Sequence, residues 1–159
     1  MSSSTSKSSS TGSGVVVVDD AVVDTAAQWR RLNGEAESVT GDWITRFGRP
    51  CLSETQRRGR STVNVALTSA KLVRAFANLL VRDLGGVFAA ENVYSSSRIG
   101  VEACLERVVN RFGAKTTFVV LGGAGADQQA AKNLDLPFWK VESTSDLVNL
   151  KQAMDMQLI

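Results

Sequence analysis

From residue 62 onward the chain repeats one rhythm: a short run of β-branched and apolar residues, a loop of small residues, then a stretch with helical spacing. TVNVAL leads into TSAKLVRAFANLLVRDL, and ENVYSSS into RIGVEACLERVVNRF. TTFVVL leads into GGAGADQQAAKNL, and LPFWKV into STSDLVNLKQAMDMQLI. Continuous β-branched runs specify buried strands, and apolar residues three and four apart specify one face of a helix. Strands alternating with helices are joined by right-handed crossovers, which lay them parallel with helices against the sheet. The expectation is an α/β fold, a three-layer parallel sheet with helices on both faces. Function in such sheets gathers beyond the carboxyl ends of the strands. Three loops are thereby selected: Thr68–Ser69, Ser95–Arg98 and Gly122–Asp127.

The helical stretches carry their own expectations. Leu72, Ala75, Phe76, Leu79 and Leu80 form one buried face, ended by Gly85 and Gly86. Ile99, Cys104, Leu105, Val108 and Phe112 form another, closed by Gly113. In the last helix Ser145 or Thr144 is the expected cap. Its apolar set divides between two roles. Leu147, Leu150, Met154 and Leu158 can pack on the sheet, or Leu150, Ala153, Met154, Met156 and Leu158 can form a tolerant, methionine-rich partner surface. Upstream, Trp29, Leu32, Ala36 and Val39 recur at helical spacing, continued by Trp43, Ile44 and Phe47, and read as core stripes. ETQRRGRST reads as an exposed, charged connector.

Composition narrows the chemistry. With 159 residues, 43% hydrophobic, the chain fits one compact domain over 15–159 behind a Ser/Gly-rich tail, 1–14, expected to be disordered. Histidine is absent, which removes Ser-His-Asp triads, His-ligated zinc and imidazole acid–base catalysis. Cys51 and Cys104 suit a reduced intracellular protein better than a disulfide framework. No apolar run approaches the ~20 residues that span a bilayer. A net charge of +2 does not mark a nucleic-acid surface, so no direct DNA binding is expected.

GAGADQ fails as a dinucleotide fingerprint, because Gln128 stands where the third glycine belongs; it fails as a P-loop because no Gly-Lys-Ser/Thr follows. VVVVDD suggests a strand ending in nucleophilic carboxylates. Asp19 and Asp20 are adjacent, however, and neighbours on an extended strand point to opposite faces. They are weak catalytic candidates, with a segment at the domain edge as the other reading.

Read together, ENVYSSSRIGVEACLERVVNRFG, TTFVVLGGAG and LPFWKVESTSDLVNLKQAMDMQLI resemble the C-terminal half of the Eyes absent domain. The likeness extends back through NVALTSAKLV to Trp43 and Trp29, covering about residues 26 to 159. The resemblance implies a haloacid dehalogenase-like fold, here without the family's first half. It implies Mg²⁺-dependent protein-tyrosine phosphatase activity with an aspartate nucleophile. It also implies a developmental transcription coactivator of nucleus and cytoplasm that binds a Six-type homeodomain protein.

Carried over position by position, Ser69 with Thr68 beside it takes the family's phosphate-binding hydroxyl position, and Arg98 keeps a positive charge nearby. Val101 stands where the family has its lysine, and Gly123 where it has a metal-binding aspartate. Asp127 is a weak metal candidate, and the nucleophile strand has no counterpart. The expectation is an Eyes absent-like coactivator or protein-interaction domain, catalytically impaired and a poor Mg²⁺ binder. The alternative is an active Mg²⁺-dependent phosphatase, a fragment or one with Asp19 and Asp20 as a rearranged centre. Without the family's central strand a sheet edge is left open, so association is expected unless Val15–Val18 fill it.

Overall fold

The computed structural model describes residues 20–59 and 62–157, the side chains of 20–26 and Thr40 excepted. The tail, Asp19, Val15–Val18 and Leu158 therefore lie outside the described residues.

Each expected strand is present as a short core of its run: β1 (Ala66–Thr68), β2 (Val93–Ser95), β3 (Val120–Gly122) and β4 (Phe138–Lys140). The helices are α1 (Asp20–Thr40), α2 (Arg49–Arg57), α3 (Leu72–Val81), α4 (Val101–Phe112), α5 (Ala126–Asn133) and α6 (Thr144–Asp155). All pairing is parallel. Ala66, Leu67 and Thr68 face Val93, Tyr94 and Ser95; Val120, Leu121 and Gly122 face Phe138, Trp139 and Lys140. Among the described residues these are two separate two-stranded ladders. The described strands thus form two parallel βαβ units, β1–α3–β2 and β3–α5–β4, with α4 packed on α5, and one continuous three-layer sheet is not seen among the described residues. Parallel strands are ordinarily covered on both faces, yet Val119 and Leu121 remain partly exposed along the third run.

The core sits where α2 meets α6. Cys51, Leu147, Leu150 and Met154 are buried together, with Phe47, Trp139 and Val141 packed around them. Leu150 is 2% exposed. ETQRRG is consequently no connector: its first half continues α2, which begins with Pro50 in the first turn and follows a π-helical turn at Ile44–Gly48. Proline suits a helix start because its missing N–H would have no partner there.

Three packing expectations are corrected. Trp29, Leu32 and Val39 are exposed rather than core, because α1 packs chiefly on α3 and one neighbour cannot cover the stripe. On α3, Ala75 is buried but Leu72 and Leu80 are exposed. That helix stops before Gly85 and Gly86: Asp83 takes the left-handed conformation (φ 53°), and Leu84 N–H returns to the Leu79 carbonyl at 2.7 Å. Arg49 pairs with Asp83 at 2.5 Å and holds that end to α2. On α4, Cys104, Leu105 and Val108 are buried as expected, Ile99 lies outside the helix, and Gly113 (φ 86°) closes it. The cap of α6 is Ser143, not Thr144 or Ser145. Its hydroxyl accepts from Asp146 N–H while the Asp146 carboxylate accepts from Ser143 N–H, a complete capping box.

Candidate functional site at the carboxyl ends of the strands

The register of the first ladder brings the ends of β1 and β2 level, with Thr68 beside Ser95. Hydrogen bonds then stitch the two following loops together. Ser96 N–H donates to the Thr68 carbonyl at 2.8 Å, and the Ser96 hydroxyl donates to the same oxygen at 3.2 Å. The Ser95 hydroxyl donates to the Ala70 carbonyl at 2.7 Å. Its single proton is thereby committed, so in the 2.9 Å contact between Ser95 and Ser97 the Ser97 hydroxyl is the donor. Thr68 Oγ1 accepts from Ala70 N–H at 3.1 Å, which leaves its own proton free to donate.

Buried Ser96 is occupied in holding the loops. Ser69, Lys71 and Arg98 are exposed, and their side chains make no hydrogen bond or ion pair among the described residues. Thr68, Ser69 and Arg98 are thus brought to one end of one ladder, as the sequence suggests. Lys71, one residue past the bonded Ala70, was not singled out from the sequence; a lysine three residues past a strand end was the available signal. Position 101 is a half-buried valine at the first turn of α4, and Glu102 beside it accepts from Asn133 Nδ2 at 2.7 Å. This bond ties α4 to α5 and connects the two units.

The second ladder presents Gly122–Asp127. Asp127 sits in the first turn of α5, where a carboxylate is favoured by the helix dipole. It also folds back on the strand end: a Cβ placed on Gly122 would lie 3.1 Å from both Asp127 Cβ and Oδ2. A Cβ on Gly123, by contrast, meets nothing within 4 Å. The aspartate expected there by resemblance is absent although the space for it exists.

The donor set does not fit Mg²⁺, which requires about six oxygen ligands in near-octahedral geometry. Asp127 is the single carboxylate of these loops, and no group of three or more Cys, Asp or Glu side chains among the described residues is placed to hold a metal. Asp20 is the first residue of α1, not the end of a strand. Two shallow hollows are present, one of 160 Å³ lined by Phe47, Pro50, Leu147 and Val148 among others, and one of 450 Å³ between Gln128, just past the third loop, and Leu136, Pro137 and Phe138.

The proposed partner surface on α6 divides. Leu150 and Met154 belong to the core against Cys51, Ala153 is half-buried, Met156 is exposed, and Leu158 lies outside the described residues. The reason is directional: residues 147, 150 and 154 share the helix face that α2 covers. Burial also pushes the Cys51 and Cys104 thiols up, so both stay protonated and unreactive near neutrality.

No family model matches the chain. Protein phosphatase eya of Drosophila melanogaster is 42% identical over 128 residues, 80% of this chain and 16% of that protein. Protein phosphatase EYA3 of Homo sapiens is 39% identical over 130 residues, 82% of this chain and 22% of that protein. A Gallus gallus protein phosphatase EYA3 sequence is 40% identical over 88 residues, 55% of this chain and 72% of that sequence. The matched region spans 16% and 22% of the first two relatives' length.

Proposed function

The chain belongs to the Eyes absent family, and we propose that it serves as a protein-interaction domain of that family with impaired phosphatase chemistry. Its relatives are protein phosphatases, which implies a haloacid dehalogenase-like fold. The observation that carries the reading is the poverty of the assembled loops in charge-bearing catalytic groups. Val101 and Gly123 stand at positions where the family resemblance places a lysine and an aspartate, Glu102 beside Val101 is engaged by Asn133, and Asp127 is the single carboxylate of the three loops. Without an attacking carboxylate, a cluster of metal-ligating carboxylates or that lysine among the described residues, hydrolysis loses the terms that normally supply ~10⁶-fold or more. The hydroxyl-rich end of the first ladder survives and suits recognition of a phosphoryl group, through Thr68, Ser69 and Arg98.

By the same family relationship the partner is a Six-type homeodomain protein, the role that of a coactivator, and the compartment the nucleus and cytoplasm. Val148 and Met156 support a contact role on α6, since they stay exposed after Leu147, Leu150 and Met154 are buried. The test is direct. With Mg²⁺ and a phosphotyrosyl peptide, the purified chain is expected to show no turnover above the blank, and to be retained by an immobilised Six-type homeodomain protein. Turnover that disappears in Asp127→Asn would overturn the catalytic part; a folded chain that is not retained would overturn the other.

A further inference from the structure

Four observations converge on the end of the first ladder. The Ser95 hydroxyl bonds the Ala70 carbonyl at 2.7 Å, which fixes the Thr68–Ala70 turn against the Ser95–Ser97 turn. Thr68 faces Ser95 in register. Lys71 directly follows Ala70 and Arg98 directly follows Ser97, so each stitched turn exits through a basic residue. Both cations are exposed, and neither has an anionic partner among the described residues. Two unmatched cations flanking the Ser69 and Thr68 hydroxyls favour a compact, doubly charged anion able to accept several hydrogen bonds.

We propose that Lys71 is the principal cation of a phosphoryl-binding site at this end of the ladder, taking with Arg98 the electrostatic role that Val101 cannot fill. The inference rests on the reading of these loops as phosphate-recognising, and it adds a residue that reading does not contain. A lysine ammonium is a compact point charge on a flexible stem, so it can reach a phosphoryl oxygen from outside the turn. Ser69 and Thr68 then donate to the remaining oxygens.

The test is titration of the full chain with inorganic phosphate and, separately, with O-phosphotyrosine, read by amide chemical shifts. Lys71→Gln is expected to weaken binding roughly fivefold, the scale of one exposed charge contact, and Lys71→Arg to restore most of it. Lys115→Gln, a change at an exposed lysine away from these loops, is expected to leave binding unchanged. Tighter binding of O-phosphotyrosine assigns the site to a phosphomonoester; equal affinities assign it to the free anion. Wild-type binding unaffected by Lys71→Gln overturns the role of Lys71 and leaves the recognition reading standing. A wild-type chain that binds neither probe overturns both.

Discussion

The Cys51 thiol lies 3.4 Å from the carbonyl oxygen of Leu147, ninety-six positions further along the chain, and donates to it. The same sulfur lies 3.3 Å from the Phe47 carbonyl. One small side chain therefore joins the π-helical turn, α2 and α6. Replacing it by alanine removes both contacts and leaves a sulfur-sized void. Cys51→Ala is expected to cost on the order of 1 kcal/mol in denaturant unfolding. Burial raises the Cys51 pKa, so its stabilising contribution is complete below the ordinary thiol value of about 8.5 and fades as pH rises through the higher folded-state value. The stability gap between wild type and Cys51→Ala should accordingly narrow in alkali, and a gap constant to pH 10 would contradict this assignment.

Leu150, at 2% exposure, is among the most completely enclosed side chains. Leu150→Ala should cost about 2–5 kcal/mol, whereas Met156→Ala, at an exposed site, should fall within about 0.5 kcal/mol of wild type. Equal effects from the two would mean that α6 is not docked on α2 in solution.

Asp146 accepts from Glu142 N–H at 2.9 Å, from the Ser143 hydroxyl at 2.9 Å and from Ser143 N–H at 2.8 Å. These bonds, the one from Glu142 N–H foremost, lower its pKa. The folded state thus prefers the ionised carboxylate. Its stabilisation is present above the unfolded value of about 3.9 and is lost as pH falls toward the lower folded value. Ser143→Ala should destabilise the chain by about 1 kcal/mol at pH 7. Because the box needs the charged aspartate, the same substitution should matter less at pH 3, as thermal melts at the two pH values would show.

The adjacent glycines of the third loop should respond oppositely. A Gly122→Ala Cβ enters a 3.1 Å contact with Asp127 and should cost about 1 kcal/mol or more; Asp127→Ala in the same chain should recover part of it. Gly123→Asp meets open space and an ordinary backbone conformation, so it should fold normally. It places a second carboxylate near Asp127, and calorimetric titration should then show Mg²⁺ binding stronger than in wild type. A Gly123→Asp chain that fails to fold would show that the loop is not as open as it stands here.

All four strand positions were legible because β-branched runs such as VNVAL and TTFVV carry the signal locally. The order of strands within a sheet is not local, and alternation alone does not foretell the two separate ladders that the described residues form. Helix α2 was missed because RPCLSETQR has only Cys51 and Leu52 as nonpolar residues beyond its proline; the face they form is fixed by α6, about a hundred positions away. The stripe on α1 shows the converse, a strong pattern at Trp29 and Leu32 whose expected cover is incomplete. At the site, the hydroxyl and Arg98 positions were readable from the loops. Lys71 was not, because its relevance depends on the Ser95–Ala70 bond and not on any spacing.

The contact of α4 with α5, pinned by Glu102 and Asn133, has a mechanical meaning. Backbone ladders are stiff along their bonds, but between these two units the described coupling is helix against helix, a joint that can slide. The gap between the serine-rich turns and Asp127 is therefore an adjustable dimension, governed by how these two helices seat rather than by strand register. Lengthening or shortening one side chain in that joint would move the two sets of loops relative to each other without touching a residue of either.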